Sequence, residues 1–150
     1  MAKKDRDSLS PIFDKMSESP GRLMMLVLNK WDKGISCALE GYDTTRTQIE
    51  LLVCIAKLLK EKECVTQRDV VDFVHRDKNT VSEVMRTLEK KGYITRATSK
   101  GDMRAKAIVL TDEGVQLVEK AAHEVMLFDE RFFPENSDNE ELRKLLKKYL

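Results

Sequence analysis

A mainly α fold with one small antiparallel β-hairpin (α+β) is what this 150-residue sequence predicts. Three observations carry it. Apolar residues recur at helical spacing through most of the chain, Thr, Ser and Asp capping signatures stand at the heads of those stretches, and two short strand patterns, YITRATS and AKAIVL, flank a turn containing Gly101. The length suits one compact domain. With 41% hydrophobic and 35% charged residues, the composition is that of a globular chain with long solvated helix faces.

Residues 1–20 are polar, with Pro11 and Pro20, and read as a loose arm in which Ile12 and Phe13 are a candidate tether. From Arg22 to Gly41, Leu23, Leu26, Val27, Ile35, Ala38 and Leu39 mark a long amphipathic helix. Thr45 with Gln48 has the form of a capping box and opens a second helix through IELLVCIAKLL, buried over much of its surface. ECV then reads as a short strand. Thr66, with Asp69 three residues on, caps a third helix, RDVVDFV. His75, Arg76 and Asp77 form a short connection, and Asp77 is the candidate N-cap of a fourth helix, KNTVSEVMRTLEKK, ended by Gly92. Two helices joined by so short a turn outline a helix-turn-helix, and the hairpin follows it at once. Thr111 caps a fifth helix whose first turn carries Asp112 and Glu113, where the helix dipole favours negative charge. Pro134 breaks the chain. Ser137 with Glu140 is a further capping box, opening a last helix with Leu142, Leu145, Leu146 and Tyr149.

A net charge of +1 gives no whole-chain attraction to an acidic partner, but charge is segregated. Residues 75–106 hold nine Lys/Arg against four Asp/Glu, while residues 111–150 hold six against ten. The middle segment is thus the one fitted to an anionic partner. The longest apolar runs, LMMLVL and LLVCIA, fall far short of the roughly 20 residues of a membrane-spanning helix. MAKKDRDSLS has no apolar stretch behind its charges and so is no secretory signal, which predicts a cytoplasmic protein. Cys37, Cys54 and Cys64 show no CxxC spacing. In a reducing compartment they stay unbridged, and Cys37 and Cys54 read as small buried hydrophobes.

The fourth helix carries the chemistry. At about 100° per residue, Val81, Val84, Met85 and Leu88 form one apolar stripe. Asn79, Glu83, Arg86 and Lys90 lie opposite, flanked by Thr80 and Ser82 and preceded by Lys78. Arg suits guanine, Asn adenine, Ser and Thr either base, and Lys the phosphate backbone. Any amphipathic helix has a solvated polar face; the preceding capped helix and the following hairpin are what point this one at a nucleic acid.

Residues 66–114 resemble the winged helix-turn-helix of the MarR family of transcriptional regulators. TVSEVMRTLEKKGYITR is similar to the family's recognition helix with its Leu-Glu-x-x-Gly-x-Ile-x-Arg ending, and GDMRAKAIVLTDEG to its wing, an Asp-x-Arg tip leading into Leu-Thr-x-x-Gly. Leu88, Glu89, Gly92, Ile94, Arg96, Asp102, Arg104, Leu110, Thr111 and Gly114 fall in register. The resemblance covers about residues 20–150. It implies a homodimer, formed by helices within 21–41 and 115–150, and a DNA-binding lobe over 44–114. It also implies a repressor of a pseudo-palindromic operator, with helix 78–91 in the major groove and wing 98–107 in the minor groove. Half-sites of such a dimer lie about one helical turn apart. Arg104 is then the wing-tip side chain entering the minor groove, held by Asp102, with Arg96, Lys100 and Lys106 as further basic contacts. Family members bind small aromatic or lipophilic effectors or use a reactive cysteine, so release by a small molecule or oxidant is an expectation; Trp31, Tyr42 and Phe128 are the candidate lining, against a plainer reading as core.

Two positions depart from the family. Glu83 stands on the groove face where a basic or small polar residue is common, so it either accepts from a cytosine amino group or pairs with Arg86 or Lys90. Ala105 stands where a second Asp is common, which weakens pairing inside the wing. No triad, phosphate loop or HExxH pattern accompanies His75 and His123, so neither an enzyme nor a metal or cofactor is expected. The alternative is a winged-helix module that binds protein and not DNA, for which the face of the fourth helix is the wrong chemistry: basic and polar, not apolar or acidic.

Overall fold

A computed structural model describes residues 11–98 and 106–150. Residues 11–17 are helical where a loose arm was expected, and Ile12 and Phe13, the candidate tether, are more than half exposed. Helix α1 spans Pro20–Ala38. Ser19 caps it by accepting from the Arg22 amide, and Pro20 sits in the first turn, where its missing N–H costs nothing. Helix α2, Arg46–Glu61, begins at Thr45, whose hydroxyl accepts from the Gln48 amide. The Gln48 side chain does not complete a box; it is buried and faces Thr44 and Lys91.

Helix α3, Gln67–Val74, has the full capping box between Thr66 and Asp69. It ends on His75, which adopts a left-handed conformation (φ 52°) and donates its amide to the Val71 carbonyl. Helix α4, Lys78–Lys90, starts at Asp77 and stops at Gly92, whose φ of 78° suits a residue without a side chain. Strands β1 (Ile94–Thr98) and β2 (Lys106–Leu110) pair antiparallel with Ile94 opposite Leu110 and Thr98 opposite Lys106. The turn at Gly101 lies outside the described residues. ECV forms no strand; the Ile108 amide of β2 donates to the Val65 carbonyl at 2.8 Å.

Helix α5, Asp112–Phe132, is capped by Thr111, and Pro134 follows its end. Helix α6, Ser137–Leu146, runs into a 3₁₀ turn, Lys147–Tyr149. Its cap is Asn136, accepting from the Asn139 amide at 2.9 Å, one residue before the expected Ser137. Asn competes as well as Ser for an N-cap, so spacing alone did not choose between them.

One core joins these elements. Ile35 of α1, Leu51, Leu52 and Ile55 of α2, Val70 of α3, Val81, Met85 and Leu88 of α4, and Ile94 and Ile108 of the hairpin are all buried. Helix α2 is the central post, touching α3, α4, α5 and β2, while α1 packs along α5. The α1–α5 crossing is close because Gly34 leaves room for the Phe128 ring; a Cβ there would overlap it. Cys54 is buried as expected, and burial pushes its thiol up to about 11, away from reactivity. Cys37, expected inside, is exposed, because α1 turns only one narrow face to the core.

Candidate nucleic-acid interface

Helix α4 is clamped so that its polar face looks outward. Val81, Met85 and Leu88 have no exposed surface, which fixes its rotation about its own axis, and Val84 is half-buried beside them. At its head the Asp77 carboxylate accepts from the Asn79 and Thr80 amides at 3.0 and 2.9 Å, and the Thr80 hydroxyl donates to the same carboxylate. The Thr80 hydroxyl first, then the Thr80 amide, hold the Asp77 carboxyl below the usual carboxylate range.

At its foot, Lys91 donates to the Asp43 carbonyl and carboxylate, both at 2.8 Å, tying the helix end to the α1–α2 loop. Arg96 of β1 reaches back to Glu89, donating from Nε at 2.9 Å with a second contact from its terminal nitrogen. These are two of the motif residues, and they are partners of one another. The Arg96 side chain is 17% exposed and, through Glu89, braces strand to helix.

The remaining expected residues of α4 separate cleanly. Lys78, Asn79, Glu83, Arg86 and Lys90 are exposed, and Thr80 and Ser82 are half-buried at the margins of the stripe. Among the described residues no ion pair joins Glu83 to Arg86 or Lys90, so its carboxylate stands on the face as an acceptor. Lys100, Asp102 and Arg104 of the wing lie outside the described residues, as does Ala105. Lys106 is placed by its pairing with Thr98.

Two residues beside this face escaped sequence reasoning. Gln67 and Arg68, in the first turn of α3, line an open groove with Val71 and Lys78, and Arg68 is almost fully exposed. The signal that marks them is positional: they follow the Thr66 cap, at a helix N-terminus where amides and dipole favour an anion.

The candidate effector residues are dispersed. Trp31 lines an apolar groove of about 630 Å³ between α1, α5 and α6, with its indole Nε1 donating to Asp129 at 2.8 Å. Phe128 instead packs its ring on Gly34, and Tyr42 lies against the core in the α1–α2 loop. Among the described residues no group of His, Cys, Asp and Glu could hold a metal ion, and no helix is long and apolar enough to cross a membrane.

Comparison with known proteins places this geometry. Residues 44–106 match the family model described as the MarR family. The HTH-type transcriptional regulator YdcH of Bacillus subtilis is 35% identical over 121 residues, covering 81% of this chain and 82% of that protein. Among solved structures, a mutant MarR from E. coli complexed with operator DNA superposes with a TM-score of 0.80 at 24% identity, covering 91% of this chain and 96% of that one. The S. aureus MepR–DNA complex gives 0.78 at 25% identity, covering 87% and 94%.

Proposed function

Because the chain belongs to the MarR family of winged helix-turn-helix, DNA-binding transcriptional regulators, which are not enzymes, we propose that it is a homodimeric repressor that reads a pseudo-palindromic operator. In this reading Asn79, Ser82, Glu83 and Arg86 meet base edges in the major groove. Lys78 and Lys90 meet phosphates, joined by Gln67 and Arg68 from α3. The wing, with Arg104 and Asp102 at its tip and Lys100 and Lys106 on its arms, reaches the adjacent minor groove, where narrow width concentrates negative potential.

The observation that carries the reading is the outward face of α4: Lys78, Asn79, Glu83, Arg86 and Lys90 are exposed on a helix whose opposite side buries Val81, Met85 and Leu88 and whose two ends are tied down. A helix so fixed presents Arg86 in one register, as base readout demands. Dimerisation is supported by the apolar surface left over at the other end, where Leu23 to Leu28 of α1 and Leu142, Leu145 and Leu146 of α6 are each between 38% and 54% exposed. A small-molecule or oxidant signal would act on this dimer, and Cys37 and Cys64, both exposed, are the thiols within an oxidant's reach.

The test is a fluorescence titration of labelled duplex across a salt series with two variants. Arg86→Ala is expected to relax base preference, costing about 1–3 kcal/mol on the preferred duplex. Arg104→Ala is expected to weaken binding while dimer mass and helicity stay as they are. Unchanged affinity of both variants at every salt concentration would overturn the reading.

A further inference from the structure

Among the described residues, Glu83 is the acidic side chain of α4 whose carboxylate has no partner. The acids before and after it in the helix-turn-helix are all engaged: Asp69 with Lys62, Asp72 with Arg68, Asp77 with the head of α4 and Glu89 with Arg96. Arg86 lies three residues on from Glu83, within ion-pair reach on a helix, yet the two do not pair. The Thr87 hydroxyl donates to the Glu83 carbonyl at 3.1 Å and leaves the carboxylate free.

Steps of about 100° per residue put Asn79, Glu83, Arg86 and Lys90 in one row, within about 60° of each other. At a rise of about 1.5 Å per residue, Asn79 to Arg86 covers about 10 Å, the length of about three base-pair steps. Glu83 stands in the second turn of α4, in the part of a recognition helix that meets base edges. A carboxylate there opposes the phosphates of any duplex, whatever its sequence, so it weakens binding unless a donor on a base edge offsets it. An ionised carboxylate only accepts. In the major groove guanine and thymine show it acceptors, and adenine's amino group stands beside the acceptor N7. Cytosine's N4 amino group has no acceptor beside it on its own ring, and the guanine across the pair offers acceptors that suit the Arg86 guanidinium.

We infer that Glu83 is a specificity-determining residue that makes a C·G pair obligatory at one position of each half-site, by accepting from cytosine N4 and repelling the acceptor edges of the other bases. The inference rests on the reading of α4 as the base-reading helix. Within that reading the basic residues of the row supply attraction, and Glu83 supplies the penalty against wrong sequences on which discrimination depends.

The test selects bound duplexes from a random pool with wild type, Glu83→Ala and Glu83→Gln, each as the whole chain. Glu83→Ala is expected to leave unbiased one position of each half-site that wild type fills with C·G. Glu83→Gln is expected to move that same position to A·T, because an amide both donates and accepts and so matches adenine. All other positions are expected to keep their preference. In titrations, replacing that C·G pair by T·A is expected to weaken wild type about tenfold and Glu83→Ala by less than about twofold. Scrambled duplex is expected to bind Glu83→Ala more tightly than wild type, since a charge opposing the phosphates is gone. The assignment is overturned if either variant selects the same site as wild type, if the altered position is A·T in wild type, or if every position blurs together, which marks a structural role. Scrambled duplex binding Glu83→Ala no more tightly than wild type would overturn it too. A wild type that enriches no duplex would overturn the base-reading proposal together with this assignment, and the wild-type selection alone tells that outcome apart.

Discussion

A Cβ added at Gly114 would fall well inside van der Waals contact of the Tyr93 carbonyl oxygen, because the first turn of α5 rests directly on the backbone entering β1. The same junction is closed by the Thr111 hydroxyl donating to the Gly92 carbonyl at 2.6 Å and the Thr111 amide donating to the Tyr93 carbonyl at 3.1 Å. Gly114→Ala is therefore expected to cost about 1–3 kcal/mol, read as a lowered urea midpoint. The Leu-Thr-x-x-Gly motif is in this light a packing motif that seats the hairpin on α5. Asp69 provides a pH signature. Lys62 first, then the Thr66 hydroxyl, hold its carboxyl down to about 2 from its ordinary value of 3.8. A depressed folded pKa stabilises fully above the unfolded value and is lost as pH falls through the folded one, so its contribution disappears between about pH 4 and pH 2. Urea midpoints of Asp69→Asn are expected to fall less steeply over that window than those of wild type.

Among the elements, α4 was the most legible in the sequence, since a strict apolar stripe, an Asp cap and a terminal glycine specify a helix over 78–91, and Lys78–Lys90 form it. Its face divided as periodicity required, with Arg86 and Lys90 out and Met85 and Leu88 in. Asp77→Ala is expected to cost about 1 kcal/mol, and Met85→Ala about 2–5 kcal/mol, in chemical denaturation. The two should differ in their effect on DNA, with Asp77→Ala fraying the head that carries Asn79. What pattern did not reveal was how side chains pair across elements. Nothing in the spacing of Arg96 says that Glu89 will hold it, because that contact depends on how β1 folds back on α4. For the same reason the spacing of Trp31 and Phe128 does not say that Trp31 will line the α1–α5–α6 groove while Phe128 packs on Gly34. Asn136 taking the place of Ser137 is a smaller failure of the same kind: two good caps stood side by side, and the preceding chain path decided.

For the whole molecule, the buried core and the leftover apolar surface divide the chain into two functional ends. The core gathers around α2 and reaches α4 and the hairpin, while Leu23 to Leu28, Leu142, Leu145 and Leu146 remain in water at the opposite end. Leaving six consecutive apolar residues of one helix half in water is costly, and in the proposed dimer a second copy would relieve it through the same surface on both subunits. Sedimentation at micromolar concentration is expected to give a dimer, and Leu26→Glu, which charges the middle of that surface, to shift it to monomer and abolish tight operator binding. The central claim, that a dimer reads duplex DNA through two copies of α4, is tested most directly by selecting bound duplexes from a random pool and sequencing them. The account predicts an enriched inverted repeat with half-sites about 10 base pairs apart, centre to centre. A pool that remains random after selection, or an enriched site with no two-fold symmetry, would contradict it.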